Sequence, residues 1–105
     1  IGSDHAGFRY KEEIIKLLKE DNYEVDDCGI YEEIPIKNYE VAEKVSLNVS
    51  SGKADKGILI CGTGIGMSIS ANKIPNIRAA LCHRLLSDSL HYPSREQMSA
   101  QASRP

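Results

Sequence analysis

Cys61 is followed by three glycines in five residues, within the run Gly57-Ile58-Leu59-Ile60-Cys61-Gly62-Thr63-Gly64-Ile65-Gly66. Glycines let a chain turn sharply and bring bare N–H groups close to a ligand. A helix N-terminus adds a positive dipole end, so such a turn suits an anion. A cysteine facing those N–H groups would gain some thiolate character. The stretch therefore offers a base or nucleophile beside a hole for the negative charge its reaction would create. Positioning it requires a strand before and a helix after. Ile58 to Ile60 is apolar and β-branched, as a strand buried on both faces reads. Met67 to Lys73 is small and apolar with Pro75 just beyond, which predicts a packed helix with a clear stop.

Two other readings compete with this one. Glycine turns after strands are common, and a buried cysteine is usually an inert small hydrophobe. A nucleotide-phosphate loop fits poorly. The dinucleotide fingerprint needs its third glycine where this chain has Met67, and an acidic residue about twenty positions on, where it has Leu81-Cys82-His83. The Gly-Lys-Ser/Thr of a Walker loop is absent.

The length of 105 residues predicts one domain, and 41% hydrophobic residues can fill a small core. The net charge of −2 comes from interspersed acids and bases. No basic patch suggests nucleic acid, and no apolar run is long enough to span a membrane. Three cysteines without Cys-x-x-Cys spacing argue against a disulfide framework or a metal site, so the cytoplasm is the expected compartment. Cys28 and Cys82 are expected to be structural. Residue 1 is Ile, so a short true N-terminus is expected ahead of it.

Ile1 to Gly7 reads as the end of a first strand and its turn, which places Asp4 and His5 at a strand's carboxyl end. Capping of the next helix would explain Ser3 or Asp4 but not His5. Gly7 to Asp21 predicts an amphipathic helix. Phe8, Tyr10, Ile14, Leu17 and Leu18 form its stripe, while Lys11 and the other charges face water. A strand is expected over 23–28, a loop with Pro35 over 30–37, and a helix over 38–51 that buries Val41, Ala42, Val45 and Val49. After the glycine turn and its helix comes a strand over 77–82, then His83 and a short helix over 84–91. Residues 92–105 are polar and aperiodic, and predict an irregular or disordered tail after a single domain at 1–91. Strands alternating with helices imply a parallel sheet covered on both faces, with ligands at the strands' carboxyl ends. Asp4-His5, Cys61-Gly62-Thr63 and His83 all fall at such ends.

Ser3-Asp4-His5-Ala6-Gly7, the segment from Gly57 to Ile69, Ala71-Asn72-Lys73 and Ile77-Arg78-Ala79-Ala80 together resemble the type-B ribose-5-phosphate isomerases. That family includes galactose-6-phosphate isomerase. The resemblance implies a Rossmann-like three-layer α/β/α domain, a homodimer or tetramer, no metal and no cofactor. It implies interconversion of an aldose phosphate and a ketose phosphate, most simply ribose 5-phosphate and ribulose 5-phosphate, through an enediolate. Cys61 would move the proton, and backbone N–H groups from Gly62 through Gly64 and Ile65 to Gly66 would hold the enediolate charge. Thr63 would lie beside the sugar. Asp4 would contact its hydroxyls, His5 its phosphate, and Asn72 would support the site.

The chain departs from the family in two places. The tyrosine of the family's Asp-Tyr-Pro element falls on Asn38, with Tyr39 one place off. The His-Asn-Asp element that opens the sugar ring falls on Ser94-Arg95-Glu96, with His91 three residues early. The family's later strand, Gly-x-Arg element and C-terminal helix with phosphate-binding arginines have no match in residues 92–105. That end of the family fold is therefore expected to be missing or altered. An alternative function follows: a catalytically impaired sugar-phosphate-binding or partner subunit of the same family.

Overall fold

Strand β2 (Lys56–Cys61) has neighbours on both sides. It is part of a computed structural model of the protein that describes residues 1–29, 38–61, 65–82 and 98–104. Strand β1 (Gly2–Ser3) pairs with β2 in parallel, Gly2 opposite Leu59 and Ser3 opposite Ile60. Strand β4 (Met98–Ser103) lies on the other side of β2 and antiparallel to it, from Lys56–Ser103 to Cys61–Met98. Strand β3 (Arg78–Cys82) pairs antiparallel with β4. The order is β1-β2-β4-β3.

The sheet is thus mixed, where strand–helix alternation predicted an all-parallel one. Strands β1, β2 and β3 do share one direction, as alternation implies, and β4 runs against them. Its residues 98–103 lie inside the stretch 92–105 expected to be an irregular tail, and for these six residues the strand overturns that expectation. Met-Ser-Ala-Gln-Ala-Ser alternates apolar with polar, but it has no β-branched or aromatic side chain to announce a strand. Ala102 is fully buried. The expected helix over 84–91 and loop over 30–37 lie outside the described residues.

Helix α1 (Phe8–Glu20) covers one face of the sheet, where Tyr10 and Ile14 pack with Ile60. Full burial of an Ile14-sized side chain contributes about 1.5–3 kcal/mol. Helices α2 (Asn38–Ser50) and α3 (Ile65–Asn72) cover the other face. Val41, Ala42, Val45 and Val49 are buried there with Leu59, Cys61, Met67 and Ala71. This is the expected three-layer α/β/α arrangement. Gly57 lets α2 approach closely, since a Cβ there would lie 2.8 Å from Val45 Cγ1.

Two local readings change. Residues 23–28 are not a regular strand, although the end of the segment lies along β1. The Cys28 amide donates to the Ile1 carbonyl (2.8 Å) and the Ser3 amide to the Gly29 carbonyl (2.7 Å). The bond to Ile1 involves Cys28 and the bond to Ser3 involves Gly29, one residue out of step with a regular parallel ladder. Lys11, read as facing water, is fully buried and paired with Asp27.

The entry to α1 is set by one close contact. A Cβ on Gly7 would stand 2.8 Å from the Ile60 carbonyl oxygen and 3.0 Å from its carbon. Gly7→Ala is therefore expected to destabilise the protein by about 1–3 kcal/mol, because backbone as well as the Ile60 side chain, whose Cγ2 would lie 2.6 Å away, must yield. Urea denaturation measures this, and an unchanged midpoint would refute the close approach.

Candidate active site

The site is built where β1 and β2 end. Cys61 is the last residue of β2, and α3 begins at Ile65. The sequence thus places the cysteine correctly, between a strand's carboxyl end and a helix N-terminus. Cys61 is 2% exposed and packs among Leu59, Met67 and Ala71. It is not disulfide-bonded. Gly66 is half-buried in the first turn of α3. Gly62, Thr63 and Gly64 lie outside the described residues, as does His83.

Asp4 reaches Cys61 through strand register. Ser3 is opposite Ile60, and the next amide, that of Asp4, donates to the Ile60 carbonyl at 3.1 Å. The pairing therefore sets Asp4 next to Cys61 across the strand ends. Asp4 is half-buried, and its Oδ1 accepts from the Gly7 amide at 2.9 Å. That bond closes the turn into α1, whose N-cap is Gly7 with no side-chain capping bond, so Asp4 shapes the turn and does not cap the helix. His5, inside the turn, is exposed to solvent. A carboxylate, an imidazole and a thiol thus share one edge of the sheet, and α3 starts from the same edge. This set can bind hydroxyls, meet an anion and move a proton.

Asn72 does not join them. It ends α3, and eight helical residues span roughly 10 Å along the axis, so it sits a helix length from the Cys61 edge. Its Oδ1 accepts from the Ala79 amide (2.9 Å), and its Nδ2 donates to the carbonyls of Ala79 (2.9 Å) and Ser68 (3.0 Å). The side-chain amide clamps the outer edge of β3 to α3. These bonds give Asn72 a structural role at the α3–β3 junction.

Arg104 is equally committed. Its Nη1 donates to the carbonyls of Val49 (2.6 Å) and Ala54 (2.8 Å), and its Nη2 lies 3.6 Å from Asp55. These contacts lie at the start of β2, the end away from Cys61. Sequence reasoning missed Lys11 and Asp27. The signal was there, because Lys11 falls three residues after Phe8 and three before Ile14, inside the apolar stripe.

Comparison with known proteins gives a consistent answer. The family described as Ribose/Galactose Isomerase matches residues 1–98. The ribose-5-P isomerase B of Listeria innocua is 51% identical over 83 residues, which is 79% of this chain and 56% of the relative. The ribose-5-phosphate isomerase B of Escherichia coli is 47% identical over 81 residues, 77% of this chain and 54% of the relative. A solved structure of Clostridium thermocellum ribose-5-phosphate isomerase B superposes with a TM-score of 0.72 at 48% identity, covering 73% of this chain and 52% of that one. This chain spans about half the length of these relatives.

Proposed function

Because this chain belongs to the ribose/galactose isomerase family, we propose that it carries the proton-transfer half of a sugar-phosphate isomerase site. The substrate proposed is ribose 5-phosphate, interconverted with ribulose 5-phosphate. The observation that supports this most is the β1–β2 register, which sets Asp4 beside Cys61 although the two are far apart in sequence.

In the proposed reaction the open-chain aldose loses its C2 proton to the Cys61 thiolate. The C2–H electron pair becomes the enediolate double bond, and the carbonyl π electrons move onto O1. Return of the proton to C1, with the O2 proton moved to O1, yields the ketose. The residues from Gly62 to Gly66 would supply N–H groups to the oxygen that gains charge, and such donors are typically worth about 10²–10³ in rate. Asp4 would hold sugar hydroxyls, His5 the phosphate, and Thr63 would sit beside the sugar. The chain would act as a homodimer in the cytoplasm. No described helix is long and apolar enough to cross a membrane.

A second reading, an impaired sugar-phosphate-binding or partner subunit, is favoured by Arg104. This arginine is spent on backbone carbonyls away from Cys61. Each charge-assisted contact to a phosphate is worth roughly 1.5–3 kcal/mol. Loss of one such contact weakens affinity by about one to two powers of ten, at about 1.4 kcal/mol per power. The chain on its own is therefore expected to turn over weakly.

A coupled assay from ribose 5-phosphate to ribulose 5-phosphate, run beside Cys61→Ala, tests both readings. Slow turnover that disappears in Cys61→Ala is expected. Turnover that survives the substitution would remove Cys61 from the mechanism, and fast turnover that it abolishes would remove the impaired reading. Light scattering at micromolar concentration is expected to give a dimer mass, and a monomer would refute the assembly.

A further inference from the structure

The Lys11 ammonium is withdrawn from water although α1 has a solvent face. Its side chain has no exposed surface, while that of its partner Asp27 is 28% exposed. Nζ donates to both oxygens of Asp27, at 2.7 and 2.8 Å. It also lies 3.3 Å from the exposed Glu12 carboxylate and 5.4 Å from the centre of the Phe8 ring. An ammonium buried this way needs its counter-charge fixed, since desolvation is repaid only by good geometry. Asp27 is therefore held in place, and it in turn holds the backbone, because its Oδ1 also accepts from the Gly29 amide at 2.9 Å.

Followed outward, these bonds close a ring. Gly29 offers its carbonyl to the Ser3 amide at 2.7 Å, and Ser3 is bonded covalently to Asp4. Asp4 Oδ1 accepts from Gly7, whose carbonyl accepts from the Lys11 amide at 2.8 Å. Lys11 thus reaches Asp4 by two routes, through its own helix turn and through Asp27, Gly29 and Ser3. The carboxylate is gripped from both sides.

We infer that the buried Lys11–Asp27 pair is a positioning device for the Asp4 carboxylate at the sugar-phosphate site. Neither residue touches substrate. The pair fixes the backbone on both sides of Asp4, so that the carboxylate meets sugar hydroxyls already oriented. The inference rests on the proposed role of Asp4, but the ring itself can be measured without any ligand.

The test uses Lys11→Met/Asp27→Asn, which removes the ion pair without leaving a buried charge, beside Lys11→Arg, which keeps the cation. In the free protein, amide hydrogen exchange of Gly7, whose N–H is bonded to Asp4, is followed by NMR. It should speed up by about tenfold or more in the neutral pair while Ile14 and Leu18 keep their protection. Lys11→Arg should restore much of the difference. Unchanged exchange at Gly7, or equal acceleration along all of α1, would overturn the inference.

The second readout is affinity for ribose 5-phosphate and, separately, for inorganic phosphate. The neutral pair and Asp4→Asn should each weaken ribose 5-phosphate by about tenfold, with no further loss when combined, because they act through one carboxylate. Inorganic phosphate should be unaffected by either. Additive losses would show that the pair acts on something other than Asp4 and would overturn the proposal. If Gly7 responds and the unmodified chain binds no ribose 5-phosphate, the coupling to Asp4 stands and the sugar-phosphate reading fails.

Discussion

The contact on which the structure depends is that of Gly7 with the backbone of Ile60. A side chain at position 7 would occupy the space of the Ile60 carbonyl. With none there, the turn leaving β1 folds down onto the end of β2, and α1 starts in contact with the sheet. The parallel pairing of Ser3 with Ile60 and the bond from the Asp4 amide to the Ile60 carbonyl fix the same junction from the strand side. Neither strand could place Asp4 alone. β1 is two residues long, and most of its order is borrowed from β2, α1 and the chain at Gly29.

The two ends of the sheet use their polar side chains differently. At the end where β2 begins, Arg104 is consumed by the carbonyls of Val49 and Ala54. Asn72 is spent on Ala79 and Ser68, where α3 ends and β3 begins. These bonds satisfy a helix terminus and a strand edge, where bare backbone groups are otherwise left to water. At the end where β2 finishes, Asp4 gives one oxygen to the turn and His5 projects into solvent. The proposed ligand site lies at that second edge.

Much of this was legible in the sequence, because the strongest signals are local. The 3.6-residue stripe of α1 and the apolar run before Cys61 announced their elements to within a residue or two. The cysteine's place before a helix followed from glycine spacing. What escaped was set by partners distant in the chain. Lys11 falls inside the apolar stripe, but the counter-charge that permits its burial, Asp27, lies 16 residues away in the chain. β4 has a period of two but no side chains that favour a strand, and its place comes from the slot between β2 and β3. Asn72 next to Lys73 looked like part of a binding motif, whereas its amide matches one backbone N–H and one carbonyl of Ala79.

The central claim is that a sugar phosphate is held at the joined ends of β1 and β2. The most direct measurement is a titration of the isotope-labelled chain with ribose 5-phosphate, followed by backbone NMR. The account predicts saturable shifts at Asp4, His5, Gly7, Cys61 and Gly66, with Asn72, Ala79 and Arg104 unmoved. Saturable shifts centred on Asn72 or Arg104, or none at Asp4 and Cys61, would contradict it.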